Sequence, residues 1–237
     1  MNKGKLYLIP SPISDDTPLW VGEEIRNCIL HTKYYAVERA KTARKFLKLM
    51  QPLISLPDLN IVEFDKDNPE NNIEEILSPL LSGNDMGLMS EAGNPCIADP
   101  GSILVAKAHK HEIEVIPLIG PSSILLALIS SGFNGQNFVF HGYLPNKKEQ
   151  LIPKLKSLES IMIKLKQTQI FMETPYRNLF LIETMLQNLT NDVLLSIGCN
   201  LGSEKQMIKT LKISQWRFQD LSIYHKNPCI FTIGNTI

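Results

Sequence analysis

The sequence predicts an α/β protein with a mostly parallel sheet and helices on the faces of that sheet. Two observations predict this fold class. Short aliphatic or β-branched runs alternate with longer stretches whose apolar residues recur at helical spacing, and turn residues separate the two kinds of segment. Such alternation is typical of strand–helix–strand units, in which neighbouring strands run parallel.

The first half of the chain opens with Lys5–Pro10 (KLYLIP), which has the apolar run of a buried strand. The stretch after it has apolar residues near helical spacing up to His31, and a basic amphipathic helix follows the second strand. The predicted strands of this half are residues 5–10, 34–37, 61–64, 86–89 and 113–118. The predicted helices are residues 18–31, 41–50, 73–81 and 102–111.

The second half has the same alternation, and PLIGP at 117–121 is the candidate hinge between the halves. We therefore expect an N-terminal α/β domain of residues 1–118 and a C-terminal α/β domain of residues 119–237. The predicted helices of the second half are residues 122–131, 147–158 and 176–189. The predicted strands are residues 138–140, 169–172, 193–197, 207–211 and 229–233.

Composition excludes several classes of protein. Lys+Arg and Asp+Glu each total 24, so the formal net charge is zero. This excludes a protein that coats nucleic acid through its overall positive charge, but not one that binds nucleic acid through a local basic patch. The longest apolar run, Ile124–Ile129, is far shorter than the roughly 20 residues of a membrane span. The N-terminus has no signal-peptide pattern, and the four cysteines form no CxxC pair. We expect a reduced, cytoplasmic protein without a metal or membrane partner.

Charge is nevertheless unevenly distributed along the chain. One basic cluster comprises Lys33, Arg39, Lys41, Arg44, Lys45 and Lys48. A second comprises Lys147, Lys148, Lys154, Lys156, Lys164 and Lys166. Acidic residues concentrate at Asp58, Glu63, Asp65, Asp67, Glu70, Glu74 and Glu75. The basic clusters could bind the phosphates of a nucleic acid or the carboxylates at the periphery of a tetrapyrrole. Alternatively, they are simply the solvated faces of helices.

Three segments at predicted strand ends combine small, polar and turn residues. They are PSPISDD at 10–16, SEAGNPCIADPG at 90–101 and LIGPSS at 118–123. The first is explained better as a capped turn, and the third is explained equally well as a helix cap. The second has eight residues more than a cap at Asp99 requires, and a long structured loop of this kind is more often functional. It lacks the GxGxxG and GK[ST] patterns, which favours a ligand without phosphates.

The loop at 90–101, followed by PLIGPSSILLAL, resembles the tetrapyrrole methylase superfamily of S-adenosylmethionine-dependent methyltransferases. Within it, the sequence is most similar to the small-subunit ribosomal RNA 2′-O-ribose methyltransferases, which have S-D-A-G-T-P-G-I-S-D-P-G and then P-L-P-G-P-S-A. Further elements agree in order: LIPSPI near the start, VERAKTARKFL at 37–47, FVFHGYLPNK at 138–147 and FMETPYR at 171–177.

The resemblance implies two α/β domains with S-adenosylmethionine in the cleft between them, usually in a homodimer. The cofactor-binding residues that it implies are Pro10, Ser90, Glu91, Ala92, Gly93, Ile97, Ser122, Ser123, Met172 and Asn200. No metal is implied. Because a ribose hydroxyl is a weak nucleophile, a general base would assist the reaction, and the candidate catalytic residues are Glu38 and Glu91.

The sequence departs from that RNA group at several motif positions, which bears on the substrate more than on the cofactor. Arg39 replaces the Asp of A-E-D-T-R, Glu91 the Asp of S-D-A-G and Tyr176 the His of E-S-P-H-R, while Cys199-Asn200 replaces an Arg-Glu pair. Three functions therefore stay open. They are 2′-O-methylation of small-subunit ribosomal RNA, methylation of a tetrapyrrole or other small molecule, and cofactor binding with little turnover.

Overall fold

The computed structural model describes residues 2–14, 21–65 and 67–235. The chain divides into two compact units, Met1–Ser122 and Ser123–Ile237. The predicted domain boundary lies four residues before this division. Each unit contains one five-stranded sheet with helices packed on it, so the predicted α/β class is confirmed.

The first unit contains an entirely parallel sheet, as the sequence predicts for this half. Its strands are β1 (Leu6–Leu8), β2 (Tyr34–Val37), β3 (Asn60–Glu63), β4 (Met86–Met89) and β5 (Val115–Pro117). Its helices are α1 (Glu23–His31), α2 (Ala40–Met50), α3 (Ile73–Leu81) and α4 (Gly101–Lys110), with a 3-10 turn at Leu56–Asp58. The strand order is β3-β2-β4-β1-β5, so β1 lies between β4 and β5, the last two strands of this unit.

Helices cover both faces of this sheet. Because the side chains of a strand alternate between the two faces, each strand packs against helices on both sides. Tyr35 and Val37 of β2 pack with α1 and α2 on one face. Ala36, between them in sequence, packs with α3 and α4 on the other face. The strands therefore read as continuous apolar runs in the sequence, and the polar residues that follow them lie at the strand ends.

The second unit has a mixed sheet, which corrects the expectation of a mostly parallel one. Its strands are β6 (Phe138–Tyr143), β7 (Thr168–Glu173), β8 (Leu194–Cys199), β9 (Met207–Lys212) and β10 (Cys229–Gly234), in the order β6-β7-β10-β8-β9. Only β6 and β7 pair in parallel among these strands, and the other pairs are antiparallel. The physical reason is the length of the connections. Parallel neighbours need a crossover of a dozen or more residues, whereas β8 and β9 are joined by a short loop.

The helices of the second unit are α5 (Ser123–Ser131), α6 (Lys148–Leu165), α7 (Asn178–Asn188) and the short α8 (Ile213–Trp216). Two 3-10 turns lie at Pro175–Arg177 and Ser222–Tyr224. Trp216 is fully buried, and its indole N–H donates a hydrogen bond to the Leu195 carbonyl of β8 at 2.8 Å. The core thus extends across α8, a helix that the sequence prediction omitted.

Several element boundaries differ from the prediction for identifiable reasons. The first helix begins at Glu23 rather than at Pro18, with Gly22 as its N-cap; Pro18 and the turn residues Asp15 and Asp16 lie outside the described residues. α6 continues to Leu165 instead of ending at Leu158, because its apolar residues keep helical spacing and remain buried as far as Met162.

Among the described residues, no helix is both long enough and apolar enough to cross a membrane. The four cysteines are free thiols.

Candidate functional site

The order of the first sheet brings the three predicted ligand-binding segments to one edge. β5, β1, β4 and β2 are consecutive neighbours and run parallel, so their carboxyl ends lie side by side. The segments at 10–14, 90–101 and 118–122 follow three of these strands, and Glu38 follows the fourth. From β1 to β3 the chain proceeds towards one end of the sheet, and from β3 to β5 it returns towards the other end. Ligand sites in open α/β sheets usually lie where the direction of strand order reverses in this way.

A pair of backbone hydrogen bonds fastens the turn after β1 to the loop after β4. The Ser11 amide donates to the Gly93 carbonyl at 2.9 Å, and the Gly93 amide donates to the Ser11 carbonyl at 3.0 Å. The Ser11 hydroxyl donates to the Ser90 carbonyl at 2.8 Å, and the Ser90 hydroxyl donates to the Ala92 carbonyl at 3.2 Å. Both serines are buried, so these bonds hold the start of the loop in one conformation.

Glycine is required at two positions around this junction. Gly93 has a φ of +72°, in the left-handed region that a residue with a side chain adopts only with strain. At Gly120, a Cβ atom would lie 2.1 Å from the Cβ of Pro10 and 2.8 Å from Oδ1 of Asn94. The segment after β5 therefore packs directly on the first two segments, and all three form one surface of the first unit.

The later part of the loop is held by Asp99. Oδ1 of Asp99 accepts a hydrogen bond from the Gly101 amide at 2.8 Å, and Oδ2 accepts one from the Ile97 amide at 3.2 Å. Asp99 thus satisfies an amide at the start of α4, although the N-cap is Pro100 rather than Asp99 as predicted. Cys96 and Ala98 both have positive φ values, 73° and 63°, which is costly for residues other than glycine.

Glu38 and Glu91, the two candidate catalytic residues, are brought together by β2 and β4. The backbone amide of Glu91 donates to Oε2 of Glu38 at 2.9 Å. Oε1 of Glu91 accepts a hydrogen bond from the Thr42 hydroxyl at 3.3 Å and lies 3.4 Å from Nε of Arg39. The Glu91 carboxylate is therefore already paired, whereas the Glu38 carboxylate is oriented by a backbone amide.

The surroundings of Glu38 favour its neutral form. Burial raises the pKa of the Glu38 carboxyl above its ordinary value, and the charges of Glu91 and Asp99 raise it further. The hydrogen bond from the Glu91 amide and the charge of Arg39 oppose this change. A raised pKa makes a carboxylate a stronger base and brings its titration closer to neutral pH.

Two cavities flank Glu91 in the first unit. The larger has a volume of about 340 Å³ and is lined by Pro12, Ile13, Ser14, Thr42, Lys45, Phe46, Leu49, Glu91 and Ala92. The other, of about 270 Å³, is lined by Glu38, Arg39, Phe64, Asp65, Pro69, Glu91 and Pro100. The larger cavity has a mostly apolar wall from α2 and the turn after β1, with polar groups at its Glu91 side. Such a combination suits a small organic ligand.

The remaining predicted residues lie elsewhere along the chain. Ile97 is exposed on the outer part of the loop, and Ser122 and Ser123 precede and begin α5. In the second unit, Met172 lies on β7 and Asn200 follows β8 in a left-handed turn with a φ of +50°. β7 and β8 both flank β10 and end at the same edge, so these two residues share one edge of the second sheet.

The sequence prediction did not include several residues that build the site. Thr42 pairs with Glu91, and Phe46 and Leu49 form the apolar cavity wall. Ser11, which fixes the loop, lies within the predicted segment 10–16. The α2 residues gave no such signal, because their spacing is equally typical of a core-facing helix.

Neither a metal-ligand cluster in the described part of the chain nor an activated thiol at Cys96 is available to the candidate site. No group of three or more His, Cys, Asp or Glu side chains within it could hold a metal ion. Burial raises the pKa of the Cys96 thiol to about 11, so little of the reactive thiolate forms at neutral pH.

Comparisons with known proteins place the chain in a family. The model of the tetrapyrrole (corrin/porphyrin) methylases matches residues 29–216. A ribosomal RNA small subunit methyltransferase I from Buchnera aphidicola subsp. Schizaphis graminum is 29% identical over 98% of this chain and 79% of its own length. The protein of the same name from Halalkalibacterium halodurans is 32% identical over 83% of this chain. This chain spans only 62% of that relative.

Solved structures share the fold at low sequence identity. The methyltransferase CobJ has a TM-score of 0.65 at 15% identity, with 98% of this chain and 94% of that one covered. A conserved hypothetical protein from Aeropyrum pernix K1 has a TM-score of 0.69 at 14% identity, with 99% and 86% covered. At these identities the similarity shows the fold alone.

Proposed function

The chain belongs to the tetrapyrrole (corrin/porphyrin) methylase family, and we propose that it is an S-adenosylmethionine-dependent methyltransferase that modifies a ribose 2′-hydroxyl of small-subunit ribosomal RNA. The names of its relatives support the RNA substrate. The observation that carries the proposal is the loop after β4, which is fastened to the turn after β1 and borders a ligand-sized cavity.

The residues of this loop suit a zwitterionic cofactor that has no phosphates. Ala92 and Gly93 leave space for close approach to the backbone, and Ala92 lines the larger cavity. The loop is held from both ends by Ser11 and Asp99, so little ordering is needed when a ligand binds. We propose that Pro10, Ser90–Ile97 and Ser122 of the first unit contact the cofactor.

Ala92→Leu should abolish binding of the demethylated product, S-adenosylhomocysteine, while the thermal unfolding midpoint stays unchanged. The reason is that the longer side chain occupies space beside the cavity, whereas position 92 itself is exposed. Isothermal titration calorimetry measures the binding. Ala106→Leu, on the exposed surface of α4, is the matched control. Wild-type binding by Ala92→Leu would overturn the assigned role of the loop, and no heat from the folded wild type would overturn the cofactor assignment.

The cofactor supplies a methyl group already activated by a sulfonium, so the protein's residues need to position the acceptor hydroxyl and remove its proton. We propose Glu38 as the general base. Its carboxylate is oriented by the Glu91 amide, and its raised pKa increases its basicity. Glu91 has a supporting role: its carboxylate pairs with the charge of Arg39 and accepts a hydrogen bond from Thr42.

Glu38→Gln should lower methyl transfer about 100- to 10,000-fold, because the amide is isosteric but cannot accept the proton. The wild-type rate should fall as pH decreases through the raised pKa of Glu38, since protonation removes the base, and the residual rate of the variant should lack this dependence. The assay maps alkali-resistant ribose positions in small-subunit ribosomal RNA from a strain without the gene.

Glu112→Gln, at an exposed site, is the matched control for this experiment and should behave like the wild type. Unchanged S-adenosylhomocysteine affinity in Glu38→Gln would separate a loss of chemistry from a loss of binding. A near-normal rate with a normal pH profile would contradict the assignment of Glu38. A wild-type enzyme that restores no ribose modification would contradict the proposed substrate.

Helix α2 offers an electrostatic surface for the RNA. Lys41, Arg44, Lys45 and Lys48 follow the i, i+3, i+4, i+7 pattern and lie exposed on one face of the helix. Lys45 also lines the larger cavity, so this basic face adjoins the proposed reaction site. Lysine and arginine contacts to phosphates supply most sequence-independent affinity for nucleic acid.

Lys41→Glu and Arg44→Glu should each weaken RNA binding at low salt. Each should also reduce the slope of log affinity against log salt by about one, because fewer counterions are released. Filter binding with a small-subunit ribosomal RNA fragment measures both quantities, and Lys110→Glu at the end of α4 is the control. Feeble wild-type binding with the same slope in all variants would favour a small-molecule substrate such as a tetrapyrrole.

We further propose that the enzyme acts as a cytoplasmic homodimer, which is the expectation from the family resemblance. Light scattering at micromolar concentration should give twice the chain mass of 26.8 kDa. The monomer mass would contradict this proposal.

A further inference from the structure

Tyr176 is an exposed aromatic residue that neither the cofactor site nor the basic face of α2 explains. It lies on the 3-10 turn Pro175–Arg177, which follows β7 in the second unit. The residue is 73% exposed, an unusual degree for a large aromatic ring. A ring that is left in solvent but held rigidly is a suitable surface for a planar ligand.

Contacts from three other segments hold the turn that carries this ring. Nε of Arg177 donates to the buried Glu173 carboxylate at 3.0 Å, and an NH2 group of Arg177 donates to the Asn146 carbonyl at 2.7 Å. The Lys226 amide donates to the Pro175 carbonyl at 3.0 Å. Nδ2 of the fully buried Asn178 donates to the carbonyls of Tyr224 at 3.0 Å and Asn227 at 2.7 Å.

The Lys226 ammonium group contacts one face of the Tyr176 ring. Nζ of Lys226 lies 5.7 Å from the centroid of Tyr176, within the range of a cation–π interaction. This contact orients the ring without covering it, as its exposure shows. The ring therefore loses little conformational freedom when a second planar group stacks on its open side.

The surroundings of the ring are positively charged. Lys226 is exposed beside it, and Lys147 and Lys148 are exposed directly after Asn146, the residue that Arg177 contacts. Glu173, the acidic residue nearest in sequence, is buried and paired with Arg177. Glu149, exposed at the start of α6, leaves an excess of positive charge among these described residues.

We propose that Tyr176 is a stacking platform for an unpaired base of the RNA substrate, with Lys226, Lys147 and Lys148 contacting the adjoining phosphates. The inference rests on the proposed RNA methyltransferase function and adds a second contact surface to it. An aromatic ring flanked by lysines is the combination by which proteins bind single-stranded nucleic acid, since every base has a stacking face and every nucleotide a phosphate. A protein or membrane partner would call for a wider apolar surface than one ring.

The test measures the affinity of full-length variants for a fluorescent, single-stranded oligoribonucleotide from small-subunit ribosomal RNA, across a salt series. Tyr176→Ala should weaken binding about 5- to 100-fold with an unchanged salt slope, because a stacking contact carries no counterion. Tyr176→Phe should retain wild-type affinity. Lys226→Gln should reduce the salt slope by about one. Phe218→Ala, at an 87% exposed aromatic residue, is the matched control and should bind normally.

A scan of single abasic positions in the oligonucleotide separates stacking from a structural effect. One abasic position should weaken binding to the wild type but cause no further loss with Tyr176→Ala. Wild-type affinity in Tyr176→Ala, or equal losses in Tyr176→Ala and Tyr176→Phe, would overturn the inference while leaving the proposed function intact. A wild-type protein that does not bind the RNA at all would overturn both.

Discussion

The reciprocal pair of hydrogen bonds between Ser11 and Gly93 is the constraint on which the candidate site depends. It joins the turn after the first strand to the loop after the fourth, although these segments are about 80 residues apart. With this junction made, Ala92 faces the larger cavity, and the Glu91 amide reaches the Glu38 carboxylate. Packing of Gly120 against Pro10 closes the same junction from the third side.

The strand order of the first sheet makes this junction possible. Because β1 is inserted between β4 and β5, the three loops with small residues are neighbours at a single edge. The second sheet uses a different principle, since most of its strands pair antiparallel through short connections. The exposed aromatic residue Tyr176 of this unit lies on the turn Pro175–Arg177, which side-chain and backbone hydrogen bonds stabilise.

Sequence patterns predicted the α/β class, most elements and the three loop segments, because apolar periodicity and turn residues are local properties. They did not predict the order of strands, which depends on contacts between distant segments. The Thr42–Glu91 hydrogen bond, for example, requires α2 and β4 to be neighbours. The cavity wall formed by Phe46 and Leu49 likewise depends on the turn after β1 and the loop after β4 lying beside α2.

Nearly every residue of helix α2 has a specific role, in the core, at the cavity or on the basic surface. Ala43, Leu47 and Met50 face the core, Thr42, Phe46 and Leu49 border the cavity, and Lys41, Arg44 and Lys48 face solvent. Successive residues of a helix are about 100° apart, so the three faces divide the circumference with little left over. Loss of a single residue would turn every later side chain onto the wrong face. This segment should therefore tolerate insertions and deletions far less well than an ordinary surface helix, and change over evolution by substitution alone.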